Sequence, residues 1–394
     1  MPSAPASYVR LLALIGLLAA GCLGRLSTAD RAWHERLLQT RASVRIDPVA
    51  EGGGPAIAGT DPRIAFIGRR SAATDGSPGS LPLFWAGSEV RVRFVGPGVT
   101  LRLRSDGEVH FTLWVDDHAQ LLSIAGTGEH RYATAPVAPG RHLLRLIKRT
   151  EAAAGHAELV ALHPQPGTEI LDAPTLPTRR LEFLGDSMTV GACAYDDGPE
   201  HWDRRETHDH SASFAARTAQ ALQAQHQAIA VSGLGVTMSR VDLRAEQIFD
   251  RQRPSPQSAE ADKDLPPDAV VVLLGHNDVL AARRAGQRFP ATFTNDYVRL
   301  IRGIRARYPH SLIVCATGGM FGSRHSCALR RAWNTALRRL QSDDARILGH
   351  VFAHTSFFHP RADAHAKLAT ELAPLLARHL GWARPSAHAL STHK

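Results

Sequence analysis

The feature that most constrains this chain is a continuous apolar run, Ala-Val-Val-Val-Leu-Leu at residues 269–274, closed by Gly275. A strand with one wet side alternates apolar and polar side chains; an unbroken run fits a strand of a parallel sheet buried on both faces. Such a sheet must be covered by helices on both sides, so an α/β layer is expected around it. Two shorter runs share the character: Leu-Glu-Phe-Leu at 181–184, ending in Gly185, and Ala-Ile-Ala-Val at 228–231, ending in Ser232-Gly233. The turns that follow lie at the carboxyl ends of these strands, where open α/β sheets hold their sites. That rim carries Asp186 and Ser187 after the first run, Gly233 after the second and Asn277 after the third.

A base stands further along. His359-Pro360 follows a loop-like stretch, His354-Thr355-Ser356-Phe357-Phe358, and precedes residues 363–379, which read as a helix with apolar spacing at Leu368, Leu372, Leu375 and Leu376. Pro374 is placed to kink its last turns. A histidine just ahead of a helix can reach back over the sheet.

The first half of the chain has a different period. Residues 90–94, 99–103, 110–115 and 142–147 alternate apolar with polar side chains between Gly, Pro, Asp and Ser, the pattern of an all-β sandwich. A seam falls at 164–180, with prolines at 164, 166, 174 and 177. The expected organisation is a signal segment at 1–22, a linker at 23–40, a β-sandwich at 41–165, an α/β domain at 178–383 and a tail at 384–394. At 394 residues the chain is long enough for two full cores. The proline-bearing stretch at 250–268 reads as a surface loop.

Arg10 is followed by an apolar run at 11–20, too short to span a bilayer but suited to the core of an export signal. Ala19-Ala20-Gly21-Cys22 resembles a bacterial lipobox, with Ala19 where leucine is usual; Cys22 would be lipidated and anchor the protein to a membrane of the cell envelope. The alternative is ordinary secretion by cleavage nearby. With Cys22 set aside, Cys193, Cys315 and Cys327 permit one disulfide at most, and Cys315, inside an apolar run, reads as a buried small hydrophobe. Lys plus Arg exceed Asp plus Glu by 46 to 37, giving +9, but the charges are dispersed and no basic helix with interleaved aromatics occurs, which argues against nucleic acid.

Alone, Gly185-Asp186-Ser187 is a turn and Asn277 a cap on the turn at Gly275. In their order and setting, Gly185-Asp186-Ser187, Ser232-Gly233, Gly275-His276-Asn277-Asp278 and His359-Pro360 resemble the SGNH, or GDSL, hydrolases. A narrower resemblance, to the two-domain deacetylases of carbohydrate esterase family 2, extends upstream. It rests on Phe84-Trp85-Ala86-Gly87-Ser88, Trp114-Val115-Asp116, Gly140-Arg141-His142 and above all Lys148-Arg149-Thr150-Glu151. It implies a jelly-roll sandwich ahead of a flavodoxin-like SGNH domain, with no cofactor. The implied activity is removal of O-acetyl groups from sugars or polysaccharides through an acyl-serine intermediate. Ser187 would be the nucleophile and His359 the base. The oxyanion donors would be the Ser187 and Gly233 backbone N–H groups and the Asn277 amide.

One position departs from the pattern. Where SGNH proteins carry an aspartate three places before the histidine, this chain has Ser356. The expectation is therefore a Ser-His dyad with the imidazole held by a backbone carbonyl, since Asp363, in the following helix, should point elsewhere. His365 is read as packing or as a support behind the catalytic residues, and Asp186 as tying down the turn rather than moving protons. The stretch from His201 to His210 clusters His and carboxylates but fits no zinc spacing. As the loop after the nucleophile it should border the cleft, with Trp202 able to stack on a sugar. Trp85 and Trp333 are expected in the core. Two other readings stay open: a lipase or lysophospholipase-type SGNH esterase, and a non-catalytic glycan-binding protein.

Overall fold

The computed structural model describes residues 26–40, 54–73, 78–263, 265–321 and 326–383. Cys22 and the lipobox lie outside them, as does the tail.

The strand-rich half contains β1 (Ile57–Ala58), β2 (Ala65–Ile67), β3 (Leu81–Leu83), β4 (Glu89–Val95), β5 (Val99–Val115), β6 (His118–Ala125), β7 (Gly128–Ala133), β8 (Arg141–Lys148), β9 (Gly155–Pro164) and β10 (Glu169–Ile170). All its pairings are antiparallel. The long strand β5 serves two sheets: residues 99–107 pair with β9, whereas residues 108–115 pair with β6. Its inward side chains, among them Leu101, Leu103, Val109, Phe111 and Leu113, join Val90, Val92, Phe94, Leu144 and Leu146 in one core. The alternation read at 90–94 thus becomes Val90, Val92 and Phe94 buried, with Arg91 and Arg93 at the surface side.

The second half is built on a five-stranded parallel sheet of β11 (Arg180–Gly185), β12 (Gln225–Ala230), β13 (Ala269–Leu273), β14 (Leu312–Met320) and β15 (Ile347–Ser356), in the order β12-β11-β13-β14-β15. This is the doubly wound 2-1-3-4-5 order, whose ligand crevice lies outside the carboxyl ends of the first strand and its neighbours. Strand β13 behaves as its composition demands. Val270, Val272 and Leu274 enter the core on one face, and Ala269, Val271 and Leu273 the core on the other. Burying each valine contributes about 1.5–3 kcal/mol.

The helices are α1 (Thr28–Thr40), α2 (Ser187–Val190), α3 (Phe214–Ala221), α4 (Ala245–Ile248), α5 (His276–Arg284), α6 (Phe293–Arg307), α7 (Cys327–Gln341) and α8 (Ala362–Leu380). Side chains of α6 and α7, with Trp333 among them, cover one face of the sheet; α3 and α8 cover the other.

Two expectations need correction. Within the expected linker at 23–40, Thr28–Thr40 is a helix, because Leu37 and His34 are buried and Trp33 stacks on Trp114 at 5.4 Å, contacts invisible in a local pattern. His354, Thr355 and Ser356 were expected in a loop but extend β15, since Met320 and Ser356 are still in register after a bulge at Thr317/Gly319.

The two halves are tightly joined. Phe84 and Trp85 of the strand-rich half sit in the core of the parallel-sheet half, and Trp85 Nε1 donates to Gln252 O at 2.8 Å. The 250–268 stretch, expected as a surface loop, is therefore part of a seam, because Arg251 O and Gln252 O accept from Arg69 and Trp85 of the strand-rich half. Arg149 is fully buried across the same seam, 2.7 Å from Asp209 and donating to Glu206 O at 3.1 Å.

Candidate active site

Strand β11 ends at Gly185, where a Cβ would run into Thr189 Oγ1 and press on Leu273 O, so only glycine lets α2 start so close to the strand. Asp186 caps that helix: its Oδ1 accepts the Met188 N–H at 3.1 Å, worth about 1 kcal/mol. Its Oδ2 accepts from Asn277 Nδ2 at 3.0 Å, and burial pushes the carboxyl up to about 6. This is the turn-holding role expected of Asp186. Ser187 then stands at the first position of α2, at the carboxyl end of the sheet's first strand.

His359 arrives from the far end of β15. Its Nε2 lies 2.7 Å from Ser187 Oγ. Its Nδ1 lies 2.7 Å from Glu200 Oε1, and the same oxygen accepts the His359 backbone N–H at 2.7 Å. A carboxylate can only accept, so Nδ1 carries the proton and Nε2 keeps its lone pair toward the serine hydroxyl. The arrangement is a Ser187-His359-Glu200 triad, and the expected dyad with a carbonyl-held ring is overturned. The carboxylate comes from the loop after the nucleophile instead of from beside the histidine, so the residues around Ser356 and Asp363 do not mark it. Asp363 pairs with Lys367 at the surface, as its helix position implied.

Burial disfavours the charge on Glu200, but the hydrogen bonds and charge of His359, with Arg361 beyond, outweigh it and hold the carboxyl down at about 2. Arg361 also clamps the loop. Itself 1% exposed, it donates through Nη1 to Cys193 O at 3.0 Å and through Nη2 to Gly198 O at 2.8 Å. From the other side, Arg31 of α1 pairs with Asp197.

Beside the serine, Gly233 adopts φ +87°, a left-handed conformation that favours glycine. Gly233 and the residue after it are pinned: Arg240 N–H donates to Gly233 O at 2.8 Å, and Asn277 Nδ2 donates to Leu234 O at 3.1 Å. Asp278 accepts the N–H groups of Val236, Thr237 and Met238 at 2.7–3.0 Å. Asn277 therefore braces the Ser187 turn against the Gly233 loop, with Asp186 and Leu234 O as the acceptors of its amide.

Other expected residues fall as follows. His365 is buried, its Nδ1 accepting the Phe214 N–H at 3.2 Å. Trp202 is 37% exposed, with its ring centroid 5.1 Å from that of His359. Cys193, Cys315 and Cys327 are all free thiols, the first two buried. In the His201-to-His210 stretch, Glu206 lies near Glu108 and His110, yet His110 is already bonded to Glu108 at 2.9 Å and Ser123 at 2.8 Å.

A hydroxyl, an imidazole with its lone pair aimed at that hydroxyl, and a carboxylate behind it define a serine hydrolase built on the rim of a parallel sheet. The chain belongs to the GDSL-like Lipase/Acylhydrolase family, which matches residues 183–379, and a Carbohydrate esterase 2 N-terminal domain matches residues 66–174. It is 28% identical over 340 residues to cellulase/esterase CelE of Acetivibrio thermocellus, an alignment covering 82% of this chain and 40% of that protein. It is 27% identical over 355 residues to an acetylxylan esterase / glucomannan deacetylase of Cellvibrio japonicus, covering 83% and 91%. Among solved structures it resembles a family two carbohydrate esterase from Clostridium thermocellum in complex with cellohexaose, at 27% identity and a TM-score of 0.70, covering 81% of this chain and all of that one.

Proposed function

We propose that this protein is a carbohydrate esterase that removes O-acetyl groups from sugars or polysaccharides, with the strand-rich half a jelly-roll. The observation that carries the reading is the hydrogen-bonded line from Ser187 Oγ through His359 to Glu200. The deacetylase and carbohydrate esterase names of the relatives support the choice of ester.

The geometry supports the following mechanism. His359 Nε2 takes the Ser187 proton as Oγ attacks the acetyl carbonyl, and Glu200 stabilises the imidazolium that forms. The oxyanion is held by the Ser187 and Gly233 N–H groups. Asn277 joins as a third donor by sharing one N–H with its present acceptor. Loss of a single such donor costs about 2.7–4 kcal/mol of transition-state stabilisation. The imidazolium returns its proton to the departing sugar hydroxyl, and water repeats the sequence to free acetate and Ser187. Trp202 offers an exposed aromatic face beside His359 for a sugar ring.

A second reading, a long-chain acyl ester hydrolase, is favoured by one observation: Phe321, Phe357 and Phe358 are exposed together next to His359, with Phe321 and Phe357 5.4 Å apart. Acetate release from acetylated xylan, glucomannan and monosaccharides, set beside a long-chain ester, separates the two. Faster turnover of the long-chain ester would replace the first reading with the second. Lipidation of Cys22 and export to the cell envelope are part of the proposal, tested by radiolabelled palmitate incorporation in wild type and in Cys22→Ala.

A further inference from the structure

Glu151 belongs to the strand-rich half, yet its carboxylate, 3% exposed, reaches across the seam. Its Oε2 accepts the Ser232 backbone N–H at 2.7 Å, and its Oε1 lies 3.8 Å from Arg205 Nη1. A buried carboxylate is costly, and a short charge-assisted bond to one backbone N–H is a specific use of it. Ser232 is the residue immediately before Gly233. Beyond Gly233 the loop is anchored by Arg240, Asn277 and Asp278, all from the hydrolase side. Before it, Glu151 is the side-chain anchor.

The base under Glu151 is rigid. Lys148 Nζ donates to Phe84 O at 3.0 Å and Thr150 O at 2.9 Å, Arg149 pairs with Asp209, and Arg149 O accepts the His210 N–H at 3.1 Å. The four-residue segment 148–151 is thus a buried spur whose last side chain ends on the oxyanion loop.

We infer that Glu151 is a positioning residue for ester hydrolysis: it fixes the Ser232-Gly233 turn so that the Gly233 N–H points at the developing oxyanion. The strand-rich half is then a component of the catalytic site and not a detachable binding module. The inference rests on the ester-hydrolase reading above. A misplacement of about 1 Å in such a donor costs on the order of 10²-fold in rate.

The test is steady-state hydrolysis of a small acetyl ester by the full chain and by Glu151→Ala, Glu151→Asp and Glu151→Gln, with thermal melts of each. Gln presents the same oxygen and should keep kcat within about fivefold of wild type. Asp, one methylene shorter, and Ala should lose about 10–10² in kcat with KM little changed. If Ala does not fold, the Asp and Gln pair decides. Wild-type kcat in Glu151→Asp or Glu151→Ala, equal losses in Gln and Asp, or losses confined to KM would overturn the inference. Absence of Ser187-dependent hydrolysis in the wild type would instead overturn the esterase reading beneath it.

Discussion

Removing the charge of Glu200 is the perturbation that most sharply separates a triad from a dyad. Its carboxylate sits 2.7 Å from His359 Nδ1, with the Glu200 side chain 25% and the His359 side chain 12% exposed. A carboxylate and an imidazolium with charge centres about 4 Å apart interact by about 4 kcal/mol at an effective dielectric of roughly 20. That interaction is realised only once His359 has taken the serine proton. At 1.36 kcal/mol per decade the ceiling is about 10³-fold in kcat, and the partial exposure of Glu200 discounts it to about 10²-fold. Glu200→Gln, which still presents an oxygen to both His359 N–H groups, should therefore lose about 10²-fold in kcat with KM nearly unchanged. Glu200→Ala also abandons the ring orientation and should lose about 10³–10⁴-fold. Initial rates of acetate release over a substrate range measure both. A Glu200→Ala enzyme within about threefold of wild type would refute the reasoning and restore the carbonyl-held dyad.

Three further outcomes follow from the same structure. Arg149→Met should destabilise the fold by about 3–5 kcal/mol in urea titrations, because Asp209 keeps a buried charge without its partner. Burial holds the Lys148 ammonium down at about 7 against the opposing pull of Glu151, so between pH 7 and 10.5 the folded state binds fewer protons than the unfolded one and stability rises with pH; that slope should flatten in Lys148→Met, as urea midpoints at pH 6, 7.5 and 9 would show. Trp202→Ala should raise KM for an acetylated oligosaccharide several-fold while leaving a small aryl acetate nearly unaffected, since the ring borders His359 without touching Ser187 chemistry.

Much of the hydrolase half was legible because buried parallel strands must be apolar throughout. The run at 269–274 could do little else, and the rim positions of Ser187, Gly233 and Asn277 followed from strand ends. His359 was legible because it precedes a strongly periodic helix. Glu200 was not. The residue that orients a histidine is defined by a meeting in space, here across 159 positions of sequence, and Asp196, Asp197 and Glu200 carry no period that marks one of them. Three places before His359 stands Ser356, and the carboxylate that meets the ring comes from another loop. Helix α1 and the end of β15 were missed for the related reason that tertiary contacts, the Trp33-Trp114 stack and the Met320-Ser356 pairing, decide them. The role of Arg361 as clamp of the Glu200 loop belongs to the same class, since an arginine after His359-Pro360 reads locally as a surface residue.

The measurement closest to the central claim is rapid-quench mass spectrometry of the enzyme during turnover of an acetylated sugar. The account predicts an acetyl group on the peptide that carries Ser187, formed within one turnover and absent, together with hydrolysis, from Ser187→Ala. An acetyl adduct on another residue, or hydrolysis that survives Ser187→Ala, would contradict it.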